Sequence, residues 1–391
     1  MRIKKLFLLF CMATYLLSCS ENNSINTSLN NLTSAYVEKY QPPGISISLI
    51  KDGKSFWSYS NGFADLEAKK SMDTTVIMNI ASISKTITTT AILQLWEQGK
   101  LDLDEDVSDI VGFTIRNPFH KDSPITTRQL LTHTSSIADG DSYQESYQCG
   151  VDYVSLSDWI KGYFLVGEEY YDSKQNFHSW APGIGYKYSN VAFGLLGLIV
   201  EKVSEQPFSV YCEKHLLEPL EMHSSGWFRK DIDTLRQAKQ YTSENKKDEA
   251  VAWFSKFKGK QRRGFYELCP YGFFNYPDGL FKTTVQDLSH FMKAVMQKGY
   301  YKNLSILKET TVDEMLKLQV ENYDIQGLGW KKLNYESFAL WGHSGRDPGV
   351  RTHLYFHQET GIGILLFQNS HEGETLKLLE AIFTLMLENE K

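Results

Sequence analysis

Several features that identify common protein classes are missing from this sequence of 391 residues. Positive charge is not in excess: 41 lysine and arginine residues face 47 acidic residues, and the net charge of −6 argues against a nucleic-acid partner. The longest apolar run, 12 residues near the N-terminus, is too short for a membrane-spanning helix, which needs roughly 20 residues. Cysteine and histidine do not occur at metal-site spacing, and no internal repeat is present. We therefore expect neither a metal nor a cofactor.

The N-terminus predicts export. Positive charges at residues 2–5 precede the apolar run Leu6–Leu17, a pattern typical of a signal peptide over residues 1–18. The following Leu-Leu-Ser-Cys stretch resembles a bacterial lipobox, in which Cys19 is lipidated and becomes the mature N-terminus. The alternative is ordinary cleavage beside an incidental cysteine. We predict a lipoprotein that is anchored in a lipid bilayer and faces the periplasm or the cell exterior. Residues 19–32, which are rich in Ser and Asn, are predicted to form a flexible tether.

Three cysteines remain in the predicted mature chain, at positions 149, 212 and 269. An odd count outside the cytosol leaves at least one thiol unpaired within a monomer. One disulfide is compatible with this count, and the sequence does not select the pair.

The apolar pattern predicts strands at both ends of residues 33–391. Gly44–Lys51 alternates apolar and polar residues, Asp52-Gly53 is a hairpin signal, and Ser55–Phe63 returns. Three further strands are predicted near the C-terminus, at Ser337–Trp341, Val350–Phe356 and Ile362–Phe367. The pattern between these strands is mostly helical. About 360 residues remain after the predicted export region, which is more than one hydrophobic core usually contains, so we expect two lobes.

We therefore predict an α/β (α+β) fold. Its antiparallel five-stranded sheet, flanked by helices, is formed by both chain ends and carries an inserted, mostly helical lobe. The α/β lobe covers about 33–100 and 276–391, and the helical lobe about 101–275.

Ser82-Ile83-Ser84-Lys85 is a Ser-x-x-Lys motif. The same spacing recurs at Ser48/Lys51, Ser243/Lys246, Ser255/Lys258 and Ser305/Lys308. Only Ser82 begins a long apolar pattern, which predicts a buried helix over Ile83–Gln98 and places Ser82 at the positive end of the helix dipole. Lys85 falls on the same face, and a neutral lysine can take the proton of a serine nucleophile. The motif alone leaves open a helix-capping serine beside a solvated lysine.

Tyr188-Ser189-Asn190 lies between a Pro-Gly loop and a predicted helix over Phe193–Val203. Tyr59-Ser60-Asn61 has the same composition but lies in the second predicted strand, ahead of Ser82. A tyrosine beside a lysine can serve as a general base or acid, and the Asn190 amide can bind a substrate carbonyl or amide group. A core tyrosine and a turn asparagine are the structural alternative.

His343-Ser344-Gly345 follows an apolar strand. A strand beside a nucleophile can supply a backbone N–H to an oxyanion hole, and Gly345 lets a substrate approach the backbone. A structural histidine is the alternative at His343.

In this order, the three elements resemble the motifs of β-lactamases and penicillin-binding proteins. The chain is most similar to the class C branch, whose second motif is Tyr-x-Asn and whose third is Lys- or His-x-Gly. The resemblance runs from about Leu32 to about Leu387. Its other stretches are Leu130-Leu131-Thr132-His133-Thr134-Ser135, Pro182-Gly183, Glu218-Pro219-Leu220, Tyr276-Pro277-Asp278-Gly279 and Trp341-Gly342.

The resemblance implies a role for each motif residue. Ser82 would be the nucleophile, Lys85 would manage its proton, and Tyr188 would act as general base in acylation and deacylation. The backbone N–H groups of Ser82 and Arg346 would form the oxyanion hole, and His343 would occupy the place of the third-motif lysine. The residues implied in substrate binding are Asn190, Ser344, Gly345 and Arg346.

The departures from the family pattern bear on substrate choice. Histidine at 343 removes a permanent charge that would attract a substrate carboxylate. Our hypothesis is that Arg346 supplies the missing charge. Relatives usually carry glycine where this chain has Ser136, Glu205, Glu221 and Arg346, and each costs up to roughly 1–2 kcal/mol if its backbone is left-handed.

The expected function is hydrolysis of an ester or amide through an acyl-Ser82 intermediate, by an esterase or a D-amino-acid peptide or amide hydrolase acting as a monomer. The substrate would be a small ester or amide, or a peptidoglycan-like peptide. One alternative is a β-lactamase or D-alanyl-D-alanine carboxypeptidase. The other is a catalytically silent protein that binds penicillin or peptidoglycan.

Overall fold

A computed structural model describes residues 24–150, 155–244, 261–321 and 323–390. The predicted signal peptide and the predicted lipidation site Cys19 lie outside these residues. The chain divides into two compact units, Met1–Pro42 with Glu372–Lys391, and Pro43–His371. The lobe boundaries expected from the sequence do not coincide with this division and stay a prediction.

The smaller unit contains helix α1 (residues 24–40), which covers residues 24–32 of the predicted flexible tether. Leu29 and Tyr36 bury their apolar side chains in this unit, and this burial stabilises a helix where the Ser/Asn composition predicted a tether. The Tyr40 hydroxyl donates a 2.7 Å hydrogen bond to the carboxylate of Glu374.

The larger unit is built on one antiparallel sheet. All strands of the described residues are β1 (Gly44–Lys51), β2 (Lys54–Asp65), β3 (Lys70–Ser71), β4 (Met78–Asn79), β5 (Gln148–Cys149), β6 (Tyr241–Ser243), β7 (Gln261–Arg262), β8 (Phe265–Glu267), β9 (Tyr271–Gly272), β10 (Lys282–Thr283), β11 (Tyr300–Tyr301), β12 (Leu304–Ser305), β13 (Lys331–Asn334), β14 (Ala339–Asp347), β15 (Val350–His357) and β16 (Ile362–Gln368). The main sheet has the order β13-β14-β15-β16-β1-β2-β3. Both chain ends therefore meet at its centre, where β1 pairs with β16.

The predicted fold class is confirmed, with two corrections to the strands. The sheet has seven strands instead of five, because the short strands β3 and β13 add to its edges. Strand β14 was predicted to end at Trp341 but continues to Asp347, so the His343-Ser344-Gly345 motif lies within the strand. The edge strands β3 and β13 have two and four residues, which are too few to show a clear alternation of apolar and polar residues.

Helices fill the chain between these strands and after them. The α-helices are α2 (Ser84–Glu97), α3 (Val107–Val111), α4 (Thr127–Leu131), α5 (Asp141–Glu145), α6 (Leu156–Phe164), α7 (Val191–Ser204), α8 (Phe208–Cys212), α9 (Val285–Met296), α10 (Glu309–Met315) and α11 (Thr375–Glu388). No helix of the described residues combines the length and apolarity that crossing a membrane requires.

Helix α2 is buried along residues 84–95 although it contains four threonines. The Thr86 hydroxyl donates to the carbonyl of Ile83 (2.7 Å), and that of Thr88 donates to the carbonyl of Pro277 (2.7 Å). These bonds offset the cost of burying the hydroxyl groups of Thr86 and Thr88, and packing against α7 supplies the stability that threonine's weak helix propensity does not.

One disulfide joins Cys149 to Cys269, and Cys212 is a buried free thiol. The bond lies beside the pairing of β5 with β9, in which Cys149 is opposite Tyr271. The structure thereby selects one pair among the alternatives that the sequence left open.

Three of the four positions where relatives carry glycine have left-handed backbone: φ is 63° at Ser136, 57° at Glu205 and 56° at Glu221. Arg346 lies in strand β14 and is not among the residues with positive φ. Glu205 follows the last turn of α7, and its side chain is exposed.

Reduction of the disulfide is expected to lower the free energy of unfolding by about 2–4 kcal/mol, because the bond constrains the unfolded chain. It links residues 120 positions apart. Urea unfolding with and without reductant measures the effect. A Cys149→Ser/Cys269→Ser double variant is the control, since reductant should not change it. Equal wild-type stability in both conditions would contradict the expectation.

Glu205→Gly is expected to be more stable than Glu205→Ala by about 1 kcal/mol, because only glycine adopts the left-handed backbone without strain. Both variants remove the same charge, so their difference isolates the backbone term. Urea unfolding of the two variants side by side is the measurement. Equal midpoints would show that φ at this position carries no strain.

Candidate active site

Ser82 lies in a short turn ahead of helix α2. The 3-10 turn Ala81–Ile83 connects β4 to α2, and Ala81 has a left-handed φ of 50°. The side-chain oxygen of Asn79 accepts a 2.8 Å hydrogen bond from the backbone N–H of Ala81 and so fixes the turn. Ser82 therefore precedes the first turn of α2, close to the position predicted from the sequence.

Lys85 is fully buried beneath Ser82. Its ammonium group donates to three oxygens, which lie on three different segments of the chain. The acceptors are the Ser82 hydroxyl at 3.2 Å, the Asn190 side-chain oxygen at 2.8 Å and the Asp278 carbonyl at 2.8 Å. A buried charge requires such partners, and these bonds hold its nitrogen within reach of the Ser82 proton.

Tyr188 lies across from Lys85, whose nitrogen is 5.0 Å from the centre of the phenol ring. The Tyr188 hydroxyl is buried and makes no hydrogen bond of ordinary geometry with any described residue. Burial raises the pKa of Tyr188, while the positive charge of Lys85 and the neighbouring Ser82 hydroxyl lower it and offset part of the rise. The hydroxyl is thus available to a reacting group.

Asn190 links Lys85 to a residue that the sequence reasoning missed. Asp139 accepts 2.8 Å hydrogen bonds from both the side-chain and the backbone nitrogen of Asn190, and a 3.0 Å bond from the backbone of Val191. Asp139 therefore caps helix α7 and orients the Asn190 amide toward Lys85. The substrate-binding role of Asn190 stays a prediction, since both ends of its amide already bond to protein.

His343 is buried and neutral. Burial lowers the pKa of His343 well below its usual value, and the charges of Lys331 and Lys85 lower it further. Its Nδ1 lies 2.7 Å from the Ser344 carbonyl, which only accepts, so this nitrogen carries the proton. The other ring nitrogen, Nε2, is buried and has no hydrogen-bond partner among the described residues.

Gly345 lets strand β14 approach the nucleophile turn. A Cβ atom at this position would lie 2.2 Å from the Ile80 carbonyl oxygen and 2.2 Å from the Thr352 hydroxyl oxygen. The hydroxyl of Thr352 donates a 2.8 Å bond to that same carbonyl. The third motif is therefore brought against Ser82 by a close contact that a larger residue would prevent.

A cavity of about 370 Å³ opens above these groups. Most predicted site residues contribute to its wall, as do several that were not predicted. Its lining residues are Ala81, Ser82, Tyr143, Tyr147, Tyr188, Asn190, Asp278, Gly279, Lys331, His343, Ser344, Arg346, Asp347 and Tyr355. Arg346 is exposed, and the Ser344 hydroxyl lies 3.0 Å from that of Tyr355.

Two buried carboxyl groups in this wall were missed. The Tyr143 hydroxyl donates to Asp278 (2.8 Å), and the Tyr271 hydroxyl donates to Asp347 (2.6 Å). Burial raises the pKa of Asp278 to about 6 and that of Asp347 to about 7, and these hydrogen bonds oppose the rise. Both carboxyl groups titrate near neutral pH, and repulsion from Asp278 adds to the rise in the pKa of Asp347. A single aspartate has no neighbouring sequence pattern that would predict its burial or the raised pKa of its carboxyl group.

Lys331 was also missed, since a Lys-Lys pair typically indicates a solvated edge. It begins strand β13 and lines the cavity beside Tyr188. Burial, followed by repulsion from Lys85, lowers the pKa of Lys331 to about 8. The described residues contain no group of three or more His, Cys, Asp or Glu side chains that would hold a metal ion.

The chain is similar to known proteins over nearly its whole length. Protein flp of Staphylococcus aureus (strain MRSA252) is 25% identical over 373 residues, which cover 94% of this chain and 68% of that protein. The octameric penicillin-binding protein homologue from Pyrococcus abyssi is 27% identical, with a TM-score of 0.70 over 93% of this chain and 77% of that chain.

A third similar protein shows the fold alone. The D-amino acid amidase from Ochrobactrum anthropi SV3, solved with L-phenylalanine amide, gives a TM-score of 0.74 at 20% identity, over 94% of this chain and 100% of that chain. A family model described as Beta-lactamase matches residues 29–384. With its antiparallel sheet and helices, this chain belongs to the beta-lactamase family and has the serine hydrolase-type fold of that family.

Proposed function

We propose that this protein is a serine hydrolase that cleaves an ester or amide bond through an acyl-Ser82 intermediate. The observation that carries the proposal is the arrangement of three groups: the Ser82 hydroxyl lies 3.2 Å from the Lys85 ammonium, with the unpaired Tyr188 hydroxyl beside both. A serine hydroxyl becomes a useful nucleophile only when a neighbour accepts its proton.

The reaction has two steps. Ser82 attacks the substrate carbonyl carbon, its proton passes to Tyr188 in the phenolate form beside Lys85, and Tyr188 returns that proton to the departing alcohol or amine. The Ser82 oxygen adds to the carbonyl carbon to give a tetrahedral oxyanion, and the collapse of this intermediate breaks the bond to the leaving group and leaves the acyl-Ser82 ester. Water then attacks the acyl group, again giving its proton to Tyr188, and the acid product leaves as Ser82 regains a proton.

The neutral state of His343 supports an esterase or a D-amino-acid peptide or amide hydrolase. Burial and two nearby lysines oppose a positive charge at this position, so His343 does not offer a substrate carboxylate the ion pair that a lysine would. The fold likeness to an amidase that was solved with an amino-acid amide is compatible with this class. β-Lactamase or D-alanyl-D-alanine carboxypeptidase activity is the alternative. The other alternative, a catalytically silent protein that binds penicillin or peptidoglycan, would have the same cavity but would not turn over a substrate.

Labelling of Ser82 tests the proposed nucleophile. Intact-protein mass spectrometry after exposure to a fluorophosphonate probe, a penicillin and a p-nitrophenyl ester should show an adduct on wild type and none on Ser82→Ala. Ser305→Ala is the matched control, because Ser305 begins another Ser-x-x-Lys stretch and should leave labelling intact. The compound that acylates and then turns over identifies the bond class. Absence of every adduct on wild type would favour the silent binding protein.

We further propose that the protein is exported and anchored to a lipid bilayer through Cys19, facing the periplasm or the cell exterior. The support is the N-terminal pattern of positive charge, apolar run and Leu-Leu-Ser-Cys. In this setting the substrate is a small ester or amide, or a peptidoglycan-like peptide, and the protein is a monomer.

Cys19→Ser is expected to move the protein from the membrane fraction to the soluble fraction or to leave it uncleaved, because the thiol that carries the lipid is lost. Fractionation and incorporation of a labelled fatty acid are the measurements, and Cys11→Ser is the matched control within the apolar run. Unchanged fatty-acid incorporation in Cys19→Ser would rule out this anchor.

A further inference from the structure

Lys331 places a second positive charge against Tyr188. Its ammonium nitrogen lies 4.5 Å from the centre of the Tyr188 ring, and that of Lys85 lies 5.0 Å from the same centre. Lys331 lines the catalytic cavity, and its ammonium group makes no hydrogen bond and no ion pair with any described residue. It is paired across the sheet with Gly342, one residue before His343.

Among the described residues, no ion pair compensates the partly buried charge of Lys331, whose pKa is lowered by burial and by repulsion from Lys85. His133 and His343 are both neutral, since burial lowers the pKa of each and the charge of Lys331 lowers it further. The carboxyl of Asp278 is near Lys85 and faces Tyr143 and Asn275. The titratable groups that interact with Lys331 or Tyr188 are Lys85, His133, Tyr186, Asp278, His343 and Tyr355.

We propose that Lys331 is a positioning residue for the reaction, whose positive charge stabilises the phenolate of Tyr188 that accepts the Ser82 proton. The proposal rests on the proposed function, because it requires Tyr188 to exchange a proton with Ser82. It assigns to a neighbouring strand a positive charge that His343 does not carry in the third motif. Lys331 has the shorter distance to the ring and no competing acceptor, whereas Lys85 is already bonded to three oxygens.

The expected size of the effect is taken from opposite-charge pairs in proteins, with 4.5 Å as the distance from the Lys331 nitrogen to the centre of the Tyr188 ring. An opposite charge within about 4–6 Å favours the ionised form of an acid by about 1–3 pKa units. Removal of the Lys331 charge should therefore reduce the fraction of Tyr188 phenolate by about tenfold or more. The effect depends on pH, because the pKa of Lys331 is itself about 8. Below this pH the wild type has the charge, and above it the wild type loses it.

The test is the rate of Ser82 labelling by an uncharged fluorophosphonate as a function of pH, in wild type, Lys331→Met and Lys331→Arg. Near neutral pH, Lys331→Met should react about 10- to 100-fold more slowly than wild type, and the difference should narrow above about pH 8. Lys331→Arg should restore the rate and keep it at higher pH, since arginine stays protonated. Lys332→Met, one position along the same strand, should match wild type.

Three results would overturn the proposal. Equal slowing of Lys331→Met and Lys331→Arg at every pH would show that Lys331 has a purely structural role. A wild-type profile in Lys331→Met would show that its charge does not act on Tyr188. Normal labelling together with loss of activity on carboxylate-bearing esters alone would make Lys331 a substrate-binding group. An unlabelled wild type would instead refute the proposed function and this inference with it, so the two failures are distinguishable.

Discussion

The buried ammonium group of Lys85 is the constraint on which the rest of the site depends. A charge without access to water is costly unless every donor finds an acceptor, and Lys85 meets this condition with oxygens from the nucleophile turn, the second motif and the Asp278 segment. Each of these segments must therefore fold to a fixed position before Lys85 is stable. The catalytic geometry and the stability of the core are consequently set by the same three hydrogen bonds.

Support for Lys85 extends outward through residues with no chemistry of their own. Asp139 holds Asn190, Asn79 holds the turn at Ala81, and Gly345 admits strand β14 against that turn. The electrostatics follow from this packing. Burial, together with the charges of Lys331 and Lys85, lowers the pKa of His133 and of His343 and keeps both histidines neutral.

The sequence predicts those parts of the fold that repeat a pattern over many residues. The five long strands and helices α2 and α7 were located because alternation or helical spacing persists through each of them. Strands β3 and β13 were missed because they are too short to show a period, and β14 was predicted to end too early. Residues 24–32 of helix α1 were predicted to be a tether because their Ser/Asn content hid the buried position of Leu29.

At the site, too, the sequence predicts what depends on a local motif and does not predict what depends on a contact between distant segments. Motif spacing placed Ser82, Lys85, Tyr188 and His343, and the structure brings all four to one cavity or directly beneath it. Motif spacing did not identify Lys331, Asp139, Asp278 or Asp347 as site residues, because each of them contributes only through a contact with a distant segment of the chain. The disulfide partner of Cys149 was open for the same reason, because pairing depends on where the backbone passes.

The position of β1 beside β16 has a consequence for the order in which the molecule acquires its structure. Strand β1 is synthesised well before its neighbour β16, because the other strands of the main sheet lie between them in the sequence. Contacts so distant in sequence form slowly, because a long loop must close before they contribute any stability. The nucleophile turn likewise waits for β14, whose Gly345 packs against it. The central sheet and the nucleophile turn therefore stay incomplete until β14 and β16 have been synthesised.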